Sequence, residues 1–113
     1  ARWFRVVLTD VSPHGGLPRE FSLSQNYPNP FNPTTVIHYE IPSMAAVTLI
    51  VYDLLGQKVA ELARVLQAPG VYDVAFNAEG LPSGVYLYRL QARTTIGGRE
   101  DEFSQTRKLI LLR

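Results

Sequence analysis

"PGVYDVAFNAEGLPSGVYLYRLQA", residues 69–92, decides the fold. Tyr72, Val74 and Phe76 alternate with Val71, Asp73 and Ala75. The alternation resumes after a loop, "NAEGLPSG", with Tyr86, Tyr88, Leu90 and Ala92 on one face and Val85, Leu87, Arg89 and Gln91 on the other. A period of two marks strands whose two faces meet different surroundings. "LPSGVY" (Leu81–Tyr86) fits a tyrosine corner, in which the hydroxyl bonds back to backbone a few residues upstream. A plain core aromatic at Tyr86 is the other reading.

The same period runs outward in both directions. Ile37, Tyr39 and Ile41 oppose Val36, His38 and Glu40, and Pro42–Ser43 ends that strand. Val47, Leu49 and Val51 oppose Thr48, Ile50 and Tyr52; apolar residues on both faces predict a central strand buried on both sides. "YDLLGQKV" (Tyr52–Val59) is a hairpin signal: Asp53 accepts backbone hydrogen bonds and Gly56 supplies a positive φ. A strand over Gln57–Ala63 should follow, and "LARVLQ" is too short to stand as a helix. "APG" (Ala68–Gly70) is a turn, "TTIGGREDE" a polar hairpin tip, and Phe103–Leu112 the last strand, with Arg113 behind it. Short strands, Gly and Pro punctuation and no long helix predict an all-β fold, an immunoglobulin-like antiparallel β-sandwich of about seven strands. Six lie from Thr35 onward, and Arg2–Thr9 could supply the seventh.

The 113 residues fit one domain, and 46% hydrophobic content sustains a core without metal or disulfide. Net charge is +1 and the 11 Lys and Arg are scattered, which argues against a nucleic-acid partner. There is no cysteine, so disulfides, Cys-type zinc sites and thiol catalysis are excluded. No apolar run approaches the ~20 residues of a membrane helix. "ARWFRVVLTD" carries charge inside its apolar run, unlike a signal peptide, and the missing Met reads as a piece cut from a longer protein. Residues 1–20 read as an N-terminal strand and linker, with Arg2–Thr9 either the tail of a preceding domain or a strand of this one. Residues 21–113 read as the sandwich.

Nothing points to an enzyme or to a cofactor. His14 lies in a Gly-Pro loop and His38 on a strand face; no triad order, His pair or phosphate loop accompanies them. Glu100, Asp101 and Glu102 read as a solvated tip rather than a calcium or other metal site, which needs spaced oxygen ligands.

"QNYPNPFNPTT" (Gln25–Thr35) is the unusual stretch. Pro28, Pro30 and Pro33 fix their own φ and push Tyr27, Asn29 and Asn32 toward extended conformations. Asn side chains close small turns. The bland reading is a stiff lead-in to a strand, with Tyr27 and Phe31 plugging the end of the core.

"LSQNYPNPFNPTTVIHYEIP", "VTLIVYDLLGQKV", "PGVYDVAFNAEGLPSGVYLYRL" and "KLILLR", in this order, resemble the C-terminal sorting domain of the bacterial type IX secretion system, over about Phe21–Arg113. The pattern is also similar to the immunoglobulin-like module of flagellar hook-capping proteins. The resemblance implies a non-catalytic signal that directs an N-terminal cargo domain of the same chain through the outer-membrane translocon. Its partners would be the translocon and sorting peptidase components. It implies cleavage in many members, with the cut here in Asp10–Glu20. Release or anchoring at the cell surface through lipopolysaccharide, by way of the periplasm, follows. The ending at Arg113 suits the family's natural terminus. The segments that match are Asn26–Pro33, Val51–Gly56, Ser83–Tyr86 and Lys108–Leu112. The recognition residues carried over are Asn26, Tyr27, Pro28, Asn29, Pro30, Phe31, Asn32, Pro33, Gly56, Ser83, Gly84, Tyr86, Lys108, Leu109, Ile110, Leu111 and Leu112. "KLILL" is the stickiest stretch, to be paired internally or offered to a partner, including a homodimer by edge-strand pairing.

Two rivals share the fold. A carbohydrate-binding module would display a row of exposed rings, with Trp3, Tyr27, Tyr72, Tyr86 and Tyr88 as candidates. A structural spacer or adhesion module would have no part in export.

Overall fold

The computed structural model describes residues 17–113. Among these there are seven strands: β1 (Ser22–Leu23), β2 (Thr34–Ile41), β3 (Ala45–Tyr52), β4 (Lys58–Gln67), β5 (Gly70–Asn77), β6 (Gly84–Ile96) and β7 (Arg99–Leu111). They form two antiparallel sheets, ordered β1-β2-β5 and β4-β3-β6-β7. The sheets pack into a β-sandwich, as the alternation predicts.

The inward faces are those the period names. Ile37, Tyr39 and Ile41, with Val47, Leu49 and Val51, are fully buried, as are Tyr88, Leu90, Ala92, Leu109 and Leu111. Each buried Leu, Ile or Val contributes about 1.5–3 kcal/mol by leaving water. Sheet pairing places these rows opposite one another, for example Leu49 beside Leu90 and Tyr86 beside Leu109.

Four expectations need correcting. The seventh strand is β1, whose two residues carry no period to read; Arg2–Thr9 lies outside the described residues. The outer face of β3 is not covered by another layer. Ile50 there is 8% exposed, but Thr48 and Tyr52 are half-buried, and the cover comes sideways: the Arg89 guanidinium sits 5.1 Å from the centre of the Tyr52 ring. β4 runs to Gln67, because pairing with β3 satisfies its backbone along the whole length. Register shifts at Leu49/Ile50 and Val51/Tyr52 leave Leu62 and Val59 as the extra residues of two bulges, and both pack against the core. Finally, the β6–β7 hairpin is longer than predicted. Glu100, Asp101 and Glu102 lie within β7, and the turn is Gly97–Gly98, with φ of 59° and 79°. A two-residue turn with both φ positive is the type whose twist suits adjacent strands.

Candidate recognition site

The register decides which loops meet. Thr34 pairs with Asn77, Tyr52 with both Lys58 and Leu87, and Gly84 with Leu111. Phe31 bridges Leu111, tying the two sheets together at this point. The start of β2, the β3–β4 hairpin, the β5–β6 loop and the end of β7 therefore share one end of the sandwich. The opposite end holds the short turns at residues 42–44, 68–69 and 97–98.

The stretch before β2 is organised by a buried amide. Asn26 is 2% exposed. Its Nδ2 donates to Pro28 O (3.1 Å) and Thr35 Oγ1 (3.0 Å), and its Oδ1 accepts from Gln25 Nε2 (2.6 Å). Its backbone N–H donates to the Tyr88 hydroxyl (2.8 Å), which in turn donates to Ser24 O (2.7 Å). Thr35 Oγ1 donates to Pro28 O (2.8 Å). Every hydrogen-bonding group of Asn26's side chain is thus engaged, the condition for burying it without a large penalty. Burial raises the pKa of Tyr88 above its ordinary value, so the hydroxyl keeps the proton it donates. The Tyr27–Pro28, Asn29–Pro30 and Asn32–Pro33 peptides are cis.

The same stretch closes the edge of β7. Gln25 Nε2 donates to Lys108 O (2.7 Å), and Ile110 N donates to Asn29 Oδ1 (2.9 Å). Phe31 N donates to Ile110 O and Leu112 N to Phe31 O, both at 3.0 Å. Arg107 Nε reaches Leu23 O higher up. "KLILL" is therefore paired internally on both sides. The expectation that it offers an edge to a partner fails here, because Lys108 O, Ile110 N, Ile110 O and Leu112 N are already taken.

The β5–β6 loop locks onto the same end. Tyr86 is 5% exposed and its hydroxyl donates to Pro82 O at 2.6 Å, the tyrosine corner that "LPSGVY" predicts. Arg113 N donates to Ser83 Oγ (2.9 Å), and its guanidinium donates to Leu81 O (2.8 Å) and Ala78 O (3.0 Å). Ala78 N donates to Pro33 O (2.8 Å), joining this loop to the Pro-rich stretch. In the β3–β4 hairpin Asp53 Oδ1 accepts from Leu55 N and Gln57 N, both at 2.9 Å, and Gly56 has φ of 86°.

The family model of the secretion-system C-terminal sorting domain matches residues 25–110. The chain belongs to that family. No curated protein and no solved structure matches it. The sorting domain is thus a C-terminal signal for type IX secretion, for export to the cell surface or the medium, and it works with that machinery and a cargo region.

The sorting motif divides by burial. Asn26, Phe31, Tyr86, Leu109 and Leu111 are buried. Tyr27, Pro28, Asn29, Pro30, Asn32, Gly56, Ser83, Gly84, Lys108 and Leu112 are exposed, and Pro33 and Ile110 half-buried. Lys108 stands further from the end than the others, opposite Leu87. Phe31 plugs the core as expected, but Tyr27 is 80% exposed. The reason is pairing: the Tyr27 backbone bridges Val36, an outward residue, and directly opposed residues share a face.

The sequence reading missed Gln25, Thr35 and Tyr88 as members of the Asn26 network, and Leu54 and Leu55 at the hairpin tip. Tyr88 carried a signal: a tyrosine at a core position needs a partner for its hydroxyl. Two adjacent leucines in a tight turn carried another, since neither alternation nor a turn's own bonds uses them. Gln25 and Thr35 carried none. The candidate sugar-binding rings do not form a row: Tyr86 and Tyr88 are buried, Tyr72 is half-buried and stacked on Tyr39 (5.4 Å), Tyr27 stands apart, and Trp3 lies outside the described residues.

Proposed function

We propose that the type IX translocon reads the end of the folded sandwich that carries the four motif segments, not a linear peptide. One observation carries this. Asn26, Gly56, Ser83 and Leu112 are far apart in sequence, yet lie in loops that the register brings to one end. Buried Asn26, Phe31, Tyr86, Leu109 and Leu111 build that end. Exposed Tyr27, Pro28, Asn29, Pro30, Asn32, Gly56, Ser83, Gly84 and Leu112 present it, with Pro33, Ile110 and Lys108 along its rim. The domain is non-catalytic. Cargo precedes β1, whose Ser22 pairs with Glu40 toward the opposite end, which supports a cargo held away from the recognition surface. A sorting peptidase would cut within Asp10–Glu20, with cargo passing through the periplasm before release or anchoring. The closed edge of β7 moves the expected homodimer contact to β5. The eight residues of β5 pair with β2 without a bulge, and its other edge is free among the described residues.

The test fuses the whole chain behind a fluorescent protein with an N-terminal export signal, in a bacterium that has type IX secretion. Medium, surface and periplasm are assayed, and a host sorting domain serves as positive control. Export that depends on the translocon is expected. Periplasmic retention of a folded fusion, with the control exported, refutes the proposal and favours the spacer reading.

A further inference from the structure

The β3–β4 hairpin presents two leucines to solvent. Leu54 is 65% and Leu55 84% exposed, the latter the highest value among the exposed large hydrophobic residues. A single exposed leucine is ordinary. This pair differs in two respects. It is fixed in place: besides the two Asp53 carboxylate bonds, Asp53 N donates to Gln57 O (2.9 Å) and Gly56 N to Asp53 O (3.0 Å). It is also not alone, since Tyr27 (80%) and Leu112 (56%) are exposed at the same end. With β3 and β6 lying between the tip and β7, the pair and Leu112 are separated by roughly 10–15 Å, two to three strand spacings.

We infer that Leu54 and Leu55 form an apolar anchor that enters a socket on a protein of the type IX machinery, with Tyr27 and Leu112 at its rim. The inference rests on the recognition end proposed above. A pair already ordered by Asp53 loses little freedom on docking, which favours a fitted pocket. The charges at this end argue against a lipid surface. Insertion beside anionic headgroups uses free basic groups. Here Lys58 Nζ lies 3.4 Å from Glu61 Oε1, and the Arg113 guanidinium is held by two carbonyls.

The experiment uses the whole-chain fusion with three variants. Leu54→Ser/Leu55→Ser removes the anchor, Leu54→Met/Leu55→Met keeps it apolar, and Val65→Ser/Leu66→Ser alters two exposed residues on β4. Export, thermal unfolding and flotation with phosphatidylethanolamine–phosphatidylglycerol vesicles are measured. The serine pair should lower export by about tenfold or more with unchanged unfolding temperature, the loss expected when two leucines no longer leave water. The methionine pair and the β4 pair should export as wild type. Equal export of the Leu54→Ser/Leu55→Ser variant beside an exported wild type overturns this inference alone. So does an equal loss in the β4 pair, which would make the effect one of general surface polarity. Vesicle binding by wild type that the serine pair abolishes overturns the protein socket in favour of lipid. Retention of the wild-type fusion overturns the recognition end and the anchor with it.

Discussion

On one long side of the sandwich the chain from Ser22 to Phe31 spans from β2 to β7, while on the other β4 and β5 are joined by the Ala68–Pro69 turn and keep bare outer edges. An unpaired edge invites another strand, so proteins blunt it. The closed side does so with side chains as much as backbone: Gln25, Asn29 and Arg107 bond main-chain groups across the gap, with Asn26 holding the loop from within. The open side does so on β4, with two bulges and with Lys58, Glu61 and Arg64, and leaves β5 regular. The comparison assigns the asparagines of the sorting motif a mechanical task. They fasten a loop whose exposed residues a partner then meets.

The largest expected effect breaks the closed side at its plug. Phe31 is 3% exposed, with its ring centroid 6.0 Å from that of Phe76. Phe31→Ala should cost about 3–5 kcal/mol. For a domain this size each kcal/mol lowers the unfolding temperature by roughly 4–8 °C. A loss below about 1 kcal/mol in denaturant unfolding would mean that the closure is not anchored in the core.

Asn26→Ala comes next. It strips partners from Gln25, Thr35 and Pro28 O in a buried place, at about 2–3 kcal/mol. Coupling sharpens this: with Thr35→Ala, the double mutant should lose measurably less than the sum of the two singles. Additive losses would show that the two side chains act separately. Tyr86→Phe removes only the bond to Pro82 O and should cost about 1 kcal/mol, with the core unchanged.

On the open side, Ala75→Lys should alter stability by no more than about 0.5 kcal/mol, because the residue is exposed. Sedimentation velocity of wild type should show association at high concentration that the lysine abolishes. A monomeric wild type would remove β5 as a meeting edge.

How far the sequence is legible follows from these contrasts. The period of two across Tyr72–Phe76 and Tyr86–Ala92 assigns inward and outward faces correctly because burial on one face dictates it. The tyrosine corner and the Asp53–Gly56 turn are legible because each closes over four residues. β1 is not, since a two-residue strand has no period. Nor is the Asn26 network, whose Tyr88 partner stands 62 positions away. Tyr27 and Phe31 look alike in sequence, and only the bridge to Val36 turns one outward while the other fills the core. The four motif segments are visible as words; their meeting at one end depends on strand order, which the words do not contain.

The smallest effect concerns what fastens β5 to β2 beyond the backbone ladder. His38 and Asp73 are register partners on the outer face, and the imidazole meets Asp73 Oδ1 through Nδ1 (2.8 Å) and Glu40 Oε2 through Nε2 (3.1 Å). Two carboxylates on the two ring nitrogens suit the doubly protonated ring. Burial by itself pulls the pKa down, but the hydrogen bonds to Glu40 and Asp73 and their charges outweigh it, so the pKa lies above its ordinary 6.5. A raised pKa means that folding favours the protonated ring. The stabilisation is full below the unfolded value and is lost as pH rises through the folded value. His38→Gln should therefore lower the unfolding temperature most near about pH 5.5 and progressively less toward about pH 8.5. The difference should be slight, since the side chains of His38, Glu40 and Asp73 are 34%, 36% and 65% exposed and solvent screens the pair. A difference that grows with pH would reverse the sign, and would mean that neutral His38 is the form that holds β5.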